Sequence, residues 1–171
     1  MKTFGTLVMV TILMAVAGRA VLGSPQTTPA LSSADSETLT FSETAFKKER
    51  EVVRRLYADE ISHAEQLQSP FESVRMAIAL ADLNLSGRKD ILAFLEHPVY
   101  CSNHGCALVV LIATSDSHWK IGLDNVTTYG EIRVSRHLTR GFRDLLLGGP
   151  RGYGVWRWDG EGYEYFSNVP Y

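Results

Sequence analysis

The sequence predicts an α+β protein, mainly an antiparallel β meander with one N-terminal amphipathic helix packed on it. Three observations carry that prediction. From Val74 onward, short apolar runs alternate with turn residues, which is the signature of strands. No segment long enough for a crossover helix separates those runs, so the connections a parallel sheet needs are missing. Ahead of them lies a single stretch with apolar residues at helical spacing.

The chain opens on a segment that reads as a signal, not as part of the fold. Residues 1–23 place Lys2 before the apolar stretch "LVMVTILMAVA" and then the small residues of "GRAVLGS", the layout of a secretory signal peptide. The apolar stretch is too short for a membrane span. The expectation is an exported chain, periplasmic or secreted, with no membrane span after signal cleavage. Two of the 17 basic residues, Lys2 and Arg19, fall in the signal, so 15 remain against 19 acidic residues. That balance gives no electrostatic case for a nucleic-acid partner. Residues 24–40, "SPQTTPALSSADSETLT", have too few large apolar side chains to offset the entropy of ordering, and read as a flexible leader. A single domain is expected over residues 41–171.

The helix is expected to start at Thr40, where Glu43 three residues on completes a capping box. Phe46, Val53, Leu56, Tyr57, Ile61 and Ala64 then recur on one stripe, and Ser69-Pro70 ends the segment. Eight strand runs follow: "VRMAIAL", "DILAFLE", "CALVVLIAT", "HWKIGL", "EIRVS", "RDLLLG", "YGVWRWDG" and "YEYFS". Asp159-Gly160 joins the last two as a hairpin turn. Gly87, Asp90, Ile91 and Leu92 are echoed by Gly141, Asp144, Leu145 and Leu146, each set reading as a turn that feeds a strand.

Three groups of residues and one absence bear on function. In "DLNLSGRKD", oxygen-bearing side chains fall at alternate positions, Asp82, Asn84 and Ser86, with Gly87 at the bend and Asp90 closing the stretch. A tight loop built this way turns successive oxygens inward, as hard-cation loops do. The stretch resembles the calcium-type loops of FG-GAP and VCBS-like secreted β-proteins. That resemblance implies weakly bound calcium, with Asp82, Asn84, Ser86 and Asp90 as ligands and Arg88 adding its carbonyl. Arg88 and Lys89 bring two positive charges beside it, and Ala93 stands where a helix-flanked loop has its bidentate Glu. Without metal, the same residues read as an Asx-rich turn, and no cofactor is then needed.

The second group is "HPVYCSNHGCALVVLIA", which holds both cysteines. Zinc ligation by Cys101, His104 and Cys106, with His97 or His118, matches structural zinc spacings poorly. Thiol exchange wants Cys-x-x-Cys at a helix start. Two cysteines flanking one hairpin loop in an oxidising compartment instead predict a Cys101–Cys106 disulfide. The tyrosine-cysteine loop before an aliphatic strand also resembles small exported bacterial proteins of unassigned activity, which implies no reaction.

The third group is a late basic and aromatic set: Arg133, Arg136, His137, Arg140, Arg143, Arg151 and Arg157 among Phe142, Tyr153, Trp156 and Trp158. Arg140, Phe142, Arg143 and Tyr153 are expected to share one exposed partner-binding patch. Fourth, no nucleophile motif such as Gly-x-Ser-x-Gly occurs, and no catalytic residue is assigned. The reading that follows is a non-enzymatic binding protein, inhibitor- or immunity-like, whose partner is another envelope or secreted protein. An envelope hydrolase or accessory domain using the Asp82–Asp90 loop, and a purely structural envelope protein, are the alternatives.

Overall fold

A computed structural model describes residues 35–68 and 73–171. The expected signal, residues 24–34 of the expected leader, and Ser69-Pro70 lie outside the described residues. Two sheets and two short helices make up the rest, in the order β1 (Ser36–Thr38), α1 (Lys47–Leu56), α2 (Ala58–Gln68), β2 (Arg75–Ala81) and β3 (Asp90–Glu96). There follow β4 (Cys101–Ser102), β5 (Gly105–Ser115), β6 (His118–Thr128), β7 (Ile132–Thr139), β8 (Phe142–Gly149), β9 (Gly152–Trp158) and β10 (Tyr163–Val169). All named pairings are antiparallel. The protein is therefore α+β, but the expected single meander is two sheets. One runs β1-β7-β8-β9-β10 and the other β2-β3-β5-β4, with β6 on the far side of β5.

The division into two sheets follows from where the apolar residues sit. Along β3 and β5, neighbouring residues point to opposite faces, and both faces are apolar. Leu92, Phe94, Leu108 and Val110 pack with Ile132, Val134, Leu145 and Leu147 of the other sheet. Ile91, Ala93, Leu95, Val109 and Leu111 pack with Val53, Tyr57, Ile61 and Ala64 of the helices. The β2–β6 sheet is thus a middle layer, and this is why "DILAFLE" and "CALVVLIAT" are continuous rather than alternating. Each fully buried Leu or Ile there contributes roughly 1.5–3 kcal/mol.

Two expectations about the N-terminal part are corrected. The helix does not start at a Thr40–Glu43 capping box. Ser42 is drawn into a β-bridge with Ile78, each backbone N–H donating to the other's carbonyl at 2.9 Å. That pairing holds the chain out of helical geometry until Phe46, which has φ +60° and caps α1 without a side-chain bond. The helical stripe is also split in two at Tyr57, whose hydroxyl donates to Asp124 Oδ1 of β6 at 2.9 Å. Burial and Asp124 together push the Tyr57 hydroxyl far above its ordinary pKa. The leader is the second correction. Its end is structured, because Ser36–Thr38 pair with Arg133–Ser135 of β7 and Leu39 N–H donates to the Ile132 carbonyl.

Candidate functional site

The Asp82–Asp90 loop joins β2 to β3, and its oxygens hold the loop itself. Asp82 accepts the N–H groups of Ser86 and Gly87 at 2.9 and 2.8 Å, and Asn84 Oδ1 accepts Ser86 N–H at 3.1 Å. Ser86 Oγ accepts Arg88 N–H. Asp90 is fully buried, with one oxygen on Leu83 N–H at 2.9 Å and the other on Ala113 N–H at 2.8 Å. Burial raises the Asp90 pKa, and those two N–H donors pull it partly back. Both Asp90 oxygens thus face backbone donors within the fold. Each oxygen of Asp82 and Asp90 accepts one backbone N–H, so the loop holds its shape as an Asx-rich turn through its own donors. Among the described residues, no three His, Cys, Asp or Glu side chains are grouped to hold a metal.

The four residues expected to share a patch are not together on the surface. Arg140 is exposed and donates to the Asp159 carbonyl. Phe142 packs inward, stacked on Trp158 with ring centroids 3.9 Å apart. Arg143 is 17% exposed, its Nε on the Ser135 carbonyl and its terminal nitrogen on Glu37 at 2.9 Å. Tyr153 is 3% exposed, edge-on to Tyr171 and covered by the Arg133 guanidinium. The aromatic rings have more apolar area to bury than the arginines have charge to present, so these residues serve the fold.

Sequence reasoning missed a polar cluster on neighbouring strands. Asp144, on β8 and fully buried, accepts from Thr139 Oγ1 at 2.6 Å, from His137 Nδ1 at 2.9 Å and from Arg157 Nε at 3.1 Å. His137 lies on β7 and Arg157 on β9, so three adjacent strands meet at one carboxylate. An irregularity in β7 between Val134 and Leu138 shifts the register at His137, as bulges re-aim side chains. The one signal in the sequence was Asp144 in the echo of Asp90.

At the opposite end of the β2–β3 hairpin from the Asp82–Asp90 loop lies the clasp. Cys101 and Cys106 are disulfide-bonded, and they face each other across the β4–β5 pair. Both sulfurs are committed to the bond, which leaves no thiolate for zinc, and Cys101 starts a strand, not the helix that the thiol-exchange reading wants. Between β3 and β4 the chain makes a short excursion, His97–Tyr100, closed by the N–H groups of Tyr100 and Cys101 on the His97 carbonyl. The turn at Asn103-His104 is tied to the β6–β7 connection by His104 Nδ1 and the Tyr129 hydroxyl, 2.7 Å apart. Gly105 has φ +99°, and a Cβ there would lie 1.9 Å from the Thr128 carbonyl oxygen. Only glycine permits that approach.

Two cavities flank the disulfide. One, of about 570 Å³, is lined by Ser73, Arg75, Glu96, His97, Pro98 and the two cysteines. The other, of about 350 Å³, is lined by Phe41, Phe94, Glu96, Cys106 and Tyr129 among others. Val99 and Tyr129 stand at this end with 42% and 43% exposure. Arg75 sits between Glu96 at 3.3 Å and Glu43 at 3.8 Å. His97 is 4% exposed, and among the described residues its Nε2, like Trp119 Nε1 and Arg133 Nε, is a buried side-chain atom without a hydrogen-bond partner. The Tyr100 pKa is raised by burial and by Glu60 and Glu65 of α2.

The fold and this end together define a class: a three-layer α+β domain of helices and two antiparallel sheets, with a disulfide-closed hairpin tip between two cavities. No protein-family profile, curated protein or solved structure matches the chain.

Proposed function

We propose that the protein is an exported, non-enzymatic binding module, that its partner is another envelope or secreted protein, and that it binds through the clasp end. The observation that carries this reading is the pair of cavities on either side of the Cys101–Cys106 disulfide, beside exposed Val99, His104 and Tyr129. Recognition is built on loops that a rigid scaffold positions, and here a disulfide, a close glycine contact and a His–Tyr bond fix the β4–β5 turn against the β6–β7 connection. Of the four residues expected to form another docking surface, Phe142, Arg143 and Tyr153 are packed or bonded within the fold, which favours the clasp end. The hydrolase alternative rests on the Asp82–Asp90 loop as a metal site, and the oxygens of that loop are already bonded to backbone N–H groups.

Photo-crosslinking tests the reading. A benzophenone side chain at Val99 or at Tyr129, in the full chain produced in its native host, should give the same adduct with one envelope or secreted protein. The same probe at Leu85, in the loop at the far end of the β2–β3 hairpin, should give none. Adducts of equal yield from Leu85, or no adduct from either clasp position, overturn it.

A further inference from the structure

The β2–β3 loop carries two cations, Arg88 and Lys89, and the fold brings them up to a second turn. Asp90 holds the loop through Leu83 N–H with one oxygen and β5 through Ala113 N–H with the other, so the loop is pinned beside the β5–β6 hairpin turn. Between the two lies a hollow of about 180 Å³, lined by Arg88 and Lys89 from the loop and by Ala113, Ser115, Asp116 and Trp119 from the hairpin. Arg88, Lys89, Ser115 and Asp116 are all exposed, so a solute meets them without any movement of the core. Both sides are held locally. Arg88 N–H donates to Ser86 Oγ at 3.3 Å, and Ser115 Oγ lies 2.9 Å from His118 Nδ1. Among the described residues, neither Arg88 nor Lys89 has an ion-pair partner. Asp82 and Asp90, the other carboxylates of the loop, do not line the hollow and accept backbone N–H groups instead. Charge and size together define what fits. Two cations and a hydroxyl suit an oxyanion. The space is below the roughly 300 Å³ at which pockets for drug-sized ligands begin, so it holds one small group. Asp116 narrows the choice further. An ionised carboxylate only accepts hydrogen bonds, so it repels an anion without a proton and bonds to one that keeps an O–H. At pH 7 inorganic phosphate keeps a proton, sulfate has none, and a phosphate monoester, with its second pKa at about 6, has mostly lost its own.

We propose that this hollow binds free inorganic phosphate, with Arg88, Lys89 and the Ser115 hydroxyl donating to its oxygens and Asp116 accepting its remaining proton. The site lies at the far end of the β2–β3 hairpin from the clasp and stands apart from the reading of that end. To test it, inorganic phosphate is titrated into the full disulfide-bonded chain at pH 7 and constant ionic strength, with ¹⁵N amide and indole resonances as the readout. The signals of Arg88, Lys89, Ser115 and the Trp119 indole should shift together and saturate. Sulfate and methyl phosphate, which lack the proton for Asp116, should each bind more weakly by on the order of tenfold. Arg88→Gln with Lys89→Gln should weaken phosphate by on the order of tenfold and leave thermal melting nearly unchanged, because both side chains are exposed. Asp116→Asn removes the repulsion of proton-free anions and should bring sulfate to within about twofold of phosphate, a change of preference that a merely structural residue would not produce. The absence of a saturable shift, or a shift that the double Gln variant retains, overturns the proposal. So does sulfate binding as tightly as phosphate, which makes the hollow an unselective anion patch. Methyl phosphate binding as tightly or more tightly overturns it too, because the ligand is then a phosphate ester such as a lipid headgroup.

Discussion

The β2–β3 and β7–β8 hairpins solve one problem in two ways. Each has a glycine with positive φ, Gly87 at +81° and Gly141 at +85°, three residues before a fully buried aspartate. Asp90 is held by two backbone N–H groups, Leu83 from its own loop and Ala113 from β5. Asp144 is held by side chains alone, Thr139, His137 and Arg157. A carboxylate bonded to backbone donors fixes the path of the chain. One bonded to side chains fixes which side chains neighbouring strands must carry, because the Arg157 guanidinium beside it needs that charge. The same short sequence pattern thus gives a chain pin in one hairpin and a strand-to-strand tie in the other.

Mutations sharpen the contrast, with the largest effect expected at Asp144. Asp144→Ala leaves Arg157 and His137 beside an empty place in the sheet, and should cost about 3–5 kcal/mol, as removal of one partner of a buried ion pair does. Urea denaturation measures it, and a cost below about 1 kcal/mol would show that the cluster is not a tie. Asp90→Ala strands two backbone donors and should cost about 3 kcal/mol by the same measurement.

Acidity probes the Asp90 pin directly. Burial holds the Asp90 pKa above its ordinary value of 3.8. The folded protein therefore takes up that proton before the unfolded chain does. The resulting stability is complete below the unfolded-state value and is lost as pH rises through the folded-state value. Subtracting the stability–pH curve of Asp90→Asn from that of the wild type should reveal this gain on acidification. A difference that falls instead on acidification means that the N–H donors outweigh burial.

The clasp comes next in size. Cys101→Ser with Cys106→Ser should lower stability by roughly 2 kcal/mol, since the ring it closes is short. Thermal melting with and without reductant gives the same comparison. The smallest effect belongs to the exposed oxygens of the β2–β3 loop. Asn84→Ala removes one bond to Ser86 N–H and should cost less than about 1 kcal/mol, equally in calcium and in chelator. A cost that appears only with calcium present would restore the cation reading of the loop.

The strands were legible because each of the eight apolar runs is local, and every one became β2, β3 or one of β5–β10. The clasp was legible for the same reason, with both cysteines flanking one turn. What escaped depends on residues distant in sequence. Ser42 leaves the helix because Ile78 pairs with it, and nothing near Thr40 announces that. Ser36–Thr38 form a strand through backbone bonds to β7, from a segment with no apolar pattern. His137, Asp144 and Arg157 meet only when β7, β8 and β9 are aligned. The expected patch failed because exposure was assigned from charge, whereas Phe142 and Tyr153 answer to the rings around them.

The pairing of β1 with β7 also sets an order of events. Glu37 and Arg143, joined across this edge, are 106 residues apart in the chain. β1, the first strand of the described residues, therefore meets β7 only once most of the domain has been made. Contacts this remote carry the largest closure entropy and slow the folding of β-rich domains. The two meanders, whose strands meet their neighbours soon after synthesis, are free to form first. On that ground β1 is expected to dock after the two meanders, which hydrogen–deuterium exchange pulse labelling of its amides would check.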